Sequence, residues 1–209
     1  MSGELVKLLS ELKEPEALKF VENALAEGAD PMELLRQAKE GMSIVGQRFA
    51  ADIYFIPDLV FSGEILKGII SRLEPHLKKG KAAERLGKVV VGTVAGDIHN
   101  IGKDLVVFML DVHGFEVLDL GIDVPAQKFV DAIRQSGSTV VGLSGFLTLA
   151  FDSMKETVAA INAAGLRDRV KIMIGGGQIN DQVSSYVGAD AYGNNAMDAV
   201  KLSQSWIGG

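Results

Sequence analysis

The sequence predicts an α/β protein in two parts: a bundle of four helices over residues 1–85, then a doubly wound sheet of five parallel strands over 86–209. Three observations carry that prediction. Apolar residues recur at helical spacing through the first part. From Lys88 onward, short apolar runs alternate with helical segments, the pattern of a parallel sheet covered by helices. Between the two lies "KGKAAERLG", a charged stretch ending in glycine that reads as a linker.

Each helix of the first part has its own signal. "GELVKLLSEL" places Leu5, Leu8, Leu9 and Leu12 on one stripe. "EPEALKFVENALAEG" continues with Leu18, Val21 and Leu25, and Gly28 closes it. "DPMELLRQAKEGMSIVGQRFAAD" opens with Asp30 as N-cap and Pro31 at the first helical position. "IPDLVFSGEILKGIISRLEPHLKK" carries Leu59, Leu66, Ile69, Ile70, Leu73 and Leu77. Short breaks between the four imply an antiparallel bundle.

In the second part, "KVVVGTV" is a β-branched run followed by a glycine turn. Then come a helix at "DLVVFMLDVHG", a strand at "FEVLDLG" and a helix at "PAQKFVDAIRQSG". A strand at "STVVGLSG", a helix at "LAFDSMKETVAAINAAG" and a strand at "VKIMIGGG" follow. A short helix, a strand at "ADAYG" and a helix at "AMDAVKLSQSWI" complete a flavodoxin-like (Rossmann-type) order, 2-1-3-4-5. In such sheets, ligands bind beyond the carboxyl ends of the strands, near the point where strand order reverses.

Composition narrows the function. The chain has 209 residues, net charge −6 and no basic run, which argues against nucleic acid as a partner. It has no cysteine, hence no disulfide, thiolate metal site or cysteine nucleophile. The N-terminus is amphipathic with early acids and no apolar signal core, and no apolar run approaches the ~20 residues that span a bilayer. A soluble cytoplasmic protein is expected, without a membrane partner.

Three loops fall at strand carboxyl ends: Gly96 to Gly102, Ser144 to Thr148, and Gly175 to Gly177. The 2-1-3-4-5 order makes them neighbours. Taken singly they say little, since "IGGG" is most often a tight turn. "GDIHNIGKD" admits two readings: a turn with a surface imidazole, or a metal ligand, His99, with Asp97 holding its other ring nitrogen. Gly102 lets a helix start close to a bulky ligand. The other histidines, His76 and His113, fall too far away for a zinc site, which needs three or four protein ligands. A single imidazole suits a metal already held by a macrocycle.

Asp97-Ile98-His99-Asn100-Ile101-Gly102 resembles the Asp-x-His-x-x-Gly signature of cobalamin-binding domains that hold the cofactor base-off and histidine-on. "VVGLSGFLT" is similar to the serine loop of methionine synthase and its corrinoid relatives, with Phe146 where the family often has leucine. "MIGGGQI" is similar to their Gly-Gly loop. "VGQRFAADIYFIPDLVFSGE" resembles the helical cap that precedes such domains. The resemblance covers nearly the whole chain, in order.

The resemblance implies roles residue by residue. His99 is the lower axial ligand of cobalt, Asp97 holds its tautomer, and Ser144 extends that relay. The displaced nucleotide tail threads between the first and fourth strands, with Gly102, Gly145, Gly175 and Gly176 giving it room. Gly96, Ile98, Asn100, Ile101 and Phe146 line the same loops, and Thr148 and Ala196 contact the corrin edge or tail. Phe49, Tyr54 and Phe55 are candidates to shield a methyl group from the cap.

It also implies the chemistry. The cofactor cycles between cob(I)alamin and methylcobalamin, and His99 leaves cobalt on reduction while the His99–Asp97 pair takes up a proton. The chain is then a methyl carrier rather than a complete enzyme, since it has no room for a catalytic barrel. Its partners are a substrate-specific methyltransferase, a second methyltransferase passing the methyl group to tetrahydrofolate or a thiol, and a reductive activator. Methanol, methylamines and methoxylated aromatics (an O-demethylase system) are the donor classes. The alternative is a cobalamin-dependent regulator, disfavoured because the chain starts at the bundle and is acidic.

Overall fold

The computed structural model describes residues 3–76, 85–177 and 179–208. The chain divides into two compact units, Met1–Glu84 and Arg85–Gly209. The stretch read as a linker falls largely outside the described residues, as does Leu77 of the fourth helical stripe.

The first unit holds α1 (Glu4–Ser10), α2 (Glu14–Ala26), α3 (Pro31–Ala50) and α4 (Ile56–Leu73). Leu12, expected on the first helix, instead takes the left-handed conformation (φ 60°) and ends it. Gly28 (φ 83°) closes α2 one residue past its cap, where Gly28 N donates to Leu25 O and Ala29 N to Ala24 O. These two bonds satisfy carbonyls that the helix end leaves free. Asp30 caps α3 by accepting from Met32 N at 3.0 Å, and Asp58 reaches back to Phe55 N at 2.8 Å to start α4. Leu5, Leu9, Met42, Val45, Leu59, Ile65, Ile69 and Leu73 are buried. Each such side chain contributes about 1.5–3 kcal/mol. At the α1–α3 crossing, a Cβ on Gly41 would lie 3.1 Å from Val6 O, so only glycine lets the helices approach this closely.

The second unit is built from β1 (Lys88–Thr93), α5 (Ile101–Val112), β2 (Glu116–Asp119), α6 (Ala126–Ser136) and β3 (Val140–Ser144). It continues with α7 (Ala150–Ala163), β4 (Lys171–Gly175), α8 (Asp181–Val187), β5 (Ala191–Gly193) and α9 (Ala196–Ile207). The five strands are parallel in the order β2-β1-β3-β4-β5. From Val89 to Thr93 every residue of β1 is buried, as expected for a central strand covered on both faces. Helices α5 and α9 pack together on one face. On the other, α6 and α7 close over Val90, Val141, Leu143, Ile172 and Ile174.

Strand register decides where function can sit. Thr93 lies opposite Ser144, Ser144 opposite Gly175, and Gly175 opposite Gly193. Four strands thus end level, and the loops after β1, β3 and β4 emerge side by side. The order reverses between β1 and β3, with the His99 and Phe146 loops on either side.

Candidate functional site

The site grows from the end of β1. Gly96 turns the chain at φ 79°, and Asp97 is fully buried directly after it. Ionised Asp97 is acceptor-only, with two oxygens to satisfy. Its Oδ1 accepts from His99 N at 2.9 Å and lies 2.8 Å from His99 Nδ1. Its Oδ2 accepts from Phe146 N at 2.6 Å and from Leu147 N at 3.1 Å. Burial pushes the carboxyl up, but the amides of His99, Leu147 and Phe146 and the His99 ring outweigh it, holding the pKa down at about 2.

That charge assigns the ring. Because a carboxylate only accepts, Nδ1 is the ring nitrogen that donates to Asp97, and Nε2 is the one turned away from it. Among the described residues, Nε2 has no hydrogen-bond partner, and the His99 side chain is 49% exposed. Thr93 Oγ1 donates to His99 O at 3.3 Å, tying the loop to the strand beneath. The Phe146 ring leans on the imidazole, with centroids 4.8 Å apart. The loops that carry His99 and Phe146 also hold exposed apolar residues: Ile98 (68%) and Ile101 (67%) on the first, Phe146 (58%) and Leu149 (77%) on the second. Single exposed apolar residues mean little, but several on the two loops that flank the switch point, one of them against the imidazole, suit a binding face.

The structure brings together Gly96 to Gly102, Ser144 to Thr148 and Gly175 to Gly177, but several expected roles change. Asp97 has no bond to the Ser144 hydroxyl, and the relay runs to the amides of Phe146 and Leu147 instead. Gly96 and Gly102 face open space where a Cβ would point, and at Gly175 a Cβ would make an ordinary contact with Gly193 O at 3.6 Å. Gly145 and Gly176 do not. A Cβ on Gly145 would lie 2.6 Å from Ala150 Cβ, and one on Gly176 2.6 Å from Gly145 O. Gly145 lets α7 pack against the end of β3, Gly176 lets the β4 loop lie against the backbone of Gly145, and neither leaves open space at its own position. Ala196, at the start of α9, is 3% exposed and packs inside the protein. Thr148 is exposed, and Asn100 donates to Asp104 Oδ2 at 2.9 Å as α5 begins. Of the aromatics in the helical unit, Tyr54 Oη donates to Ser10 O at 2.7 Å and accepts from Arg48, Phe49 is half-buried and Phe55 is exposed.

Sequence reasoning overlooked the loop after β2. Lys103 Nζ is buried and bound to Asp119 Oδ2 at 2.6 Å and to Asp104. Asp123 Oδ1 accepts from Gly96 N at 2.7 Å. The only signal was an aspartate two residues after a glycine at a strand end, which marks many turns.

No group of three or more His, Cys, Asp or Glu side chains that could hold a metal ion exists among the described residues. A lone imidazole with a free Nε2, flanked by Phe146 and with open space at Gly96 and Gly102, fits a metal brought in by a flat macrocycle. Fold and site together define a B12-binding class of protein. Residues 87–201 match the family model described as "B12 binding domain", and residues 2–74 match a second model of the same description. The chain is 38% identical over 194 residues to trimethylamine corrinoid protein 2 of Methanosarcina mazei, covering 92% of this chain and 89% of that one. It is 33% identical over 205 residues to the dimethylamine corrinoid protein of Methanosarcina barkeri, covering 98% and 96%. A cobalamin-binding protein from Desulfitobacterium hafniense superposes with a TM-score of 0.82 at 43% identity, covering 98% of each chain. The methanol:cobalamin methyltransferase complex of Methanosarcina barkeri gives 0.81 at 26% identity, covering 98% of this chain and 78% of that one. The chain belongs to the B12-binding corrinoid protein family, and its cofactor is cobalamin.

Proposed function

We propose that this chain is a methyl carrier, a corrinoid subunit loaded by one methyltransferase and unloaded by another. The observation that carries the reading is His99, with Nδ1 held by the Asp97 carboxylate and its half-exposed ring against Phe146. Bound cobalamin supplies a cobalt centre that accepts and gives up a methyl group. The chain's own residues do the rest. His99 would hold the cobalt through Nε2, while Asp97 accepts the bond from Nδ1 and fixes the ring. Phe146, against the imidazole, and the exposed Ile98, Ile101 and Leu149 on the same two loops offer apolar surface to the cofactor. The Gly102 and Gly175 positions give the cofactor room against the sheet.

The helical unit, residues 1–85, is read as the cap, and residues 86–209 as the cofactor-binding part. Ile53, Phe55, Ile56 and Val60, exposed at the α3–α4 end, have the apolar character needed to shelter a methyl group. No helix among the described residues is long and apolar enough to cross a membrane. The likeness to trimethylamine and dimethylamine corrinoid proteins favours a methylamine donor, with methanol and methoxylated aromatics as further classes to test.

The test uses the cobalamin-loaded chain, reduced chemically and mixed in turn with trimethylamine, dimethylamine, methanol and methoxyaromatic methyltransferases and their donors. One donor class should be demethylated only when the chain is present. A loaded chain that is methylated in none of these mixtures would overturn the carrier reading.

A further inference from the structure

Beside the His99 loop runs the segment from Leu120 to Pro125, which joins β2 to α6. It prolongs the sheet past the strand ends. Thr93 N donates to Gly121 O at 2.9 Å, Val124 N donates to Thr93 O at 2.9 Å, and Val94 bridges Val124 in parallel. Asp123 then grips the His99 loop twice. Its N donates to Asp97 O at 3.0 Å, and its Oδ1 accepts from Gly96 N at 2.7 Å. Asp123 sits at φ 50°, a conformation that few non-glycine residues adopt and that persists where surrounding contacts impose it.

The two bonds bracket residue 97. One holds the amide of the preceding glycine, and the other holds the carbonyl of Asp97 itself. Asp97 N is bonded to Val94 O, and the carboxylate is taken by His99 and the β3 loop. No polar group of Asp97 is left to adjust. The direction of the imidazole follows from Asp97 Oδ1, so the place of Asp97 sets the direction of Nε2.

We propose that Asp123 is a positioning residue for His99, a clamp on the main chain of Gly96 and Asp97 that holds the imidazole at one height and tilt. It acts through the loop and does not touch the cofactor. The inference rests on the reading of His99 as cobalt ligand.

Two variants separate clamp from strain. Asp123→Gly suits the left-handed backbone but removes the acceptor. Asp123→Asn tolerates that backbone and keeps an oxygen for Gly96 N–H. In the cofactor-free chain, hydrogen exchange at the Gly96 amide should quicken by about tenfold in Asp123→Gly and stay within about threefold of native in Asp123→Asn. After reconstitution with cobalamin, the histidine-on fraction should fall in Asp123→Gly and return in Asp123→Asn. Native-like Gly96 exchange and a native histidine-on fraction in Asp123→Gly would overturn the clamp. Equal loss in both variants would overturn its hydrogen-bond basis in favour of charge. Altered Gly96 exchange in a chain that binds no cobalamin would leave the clamp standing and overturn the reading of His99 instead.

Discussion

Replacing Asp97 by asparagine changes almost no volume and tests the carboxylate at the centre of the site. Asp97 accepts four bonds, two on each oxygen. Asparagine keeps one oxygen, so it satisfies either the His99 pair or the Phe146–Leu147 pair and turns an NH2 toward the other donors. Hydrogen bonds to a charged group contribute about 1.5–3 kcal/mol each, so two lost bonds set a ceiling of about 3–6 kcal/mol. The depressed carboxyl pKa, which has its cause in the same donors, gives a lower figure. Holding the carboxyl at about 2 against its ordinary 3.8 corresponds to about 2 kcal/mol of preference for the ionised form. Because the exposed 146–147 loop relaxes toward water, the loss should fall between, at about 2–4 kcal/mol.

Trp206 is the only tryptophan and lies in α9, so its fluorescence reports the α/β unit in a urea titration. With a slope of about 1–3 kcal/mol per molar urea, the midpoint should drop by about 1–2 M. The sign also fixes a pH dependence. The folded pKa is depressed, so this stabilisation is present above pH 3.8 and is lost as pH falls toward about 2. The gap between native and Asp97→Asn should therefore close on acidification. A loss below about 0.5 kcal/mol at neutral pH, or a gap that does not change with acid, would refute the four-donor account.

Three further outcomes follow from the same geometry. Gly176→Ala puts a Cβ 2.6 Å from Gly145 O at a residue with φ 98°, so it should lower stability in the same urea assay by about 1–3 kcal/mol. Tyr54→Phe removes the bonds to Ser10 O and Arg48 and should lower the stability of the helical unit, followed by circular dichroism, by about 1 kcal/mol. Burial lowers the Lys103 pKa, but its bonds to Asp104 and Asp119 outweigh this and raise it above 10.5. Its stabilisation is therefore full below pH 10.5 and lost as pH rises through the folded value, and Lys103→Met should remove that alkaline step from a stability–pH curve.

The strand order was legible because buried parallel strands read as short apolar runs, and each helix between them has its own spacing. The Asp97–His99 contact was legible because two side chains two residues apart on one turn meet without help from the rest of the fold. What stayed hidden was main-chain work. The amides of Phe146 and Leu147 that saturate Asp97 leave no mark in side-chain identity, and a serine two residues earlier drew the attention instead. Asp123 was hidden because its backbone angle and its bond to Gly96 belong to tertiary contact. Gly145 and Gly176 looked like room for a ligand, whereas each is small because another part of the chain presses against it. Ala196 was misjudged for a related reason. Its place just after the last strand is visible in sequence, but that the first turn of α9 carries it into the interior is not.

The central claim is that the nitrogen below cobalt belongs to His99. Electron paramagnetic resonance of the chain loaded with cobalt(II) cobalamin, prepared once with ordinary histidine and once with 15N-labelled histidine, asks this directly. Each cobalt line is split by the axial nitrogen, into three by 14N and two by 15N. The account predicts triplets that become doublets on labelling, and in His99→Gly splitting that no longer responds to the label. Triplets that persist with labelled protein would mean that the cofactor's own base remains bound, and would contradict it.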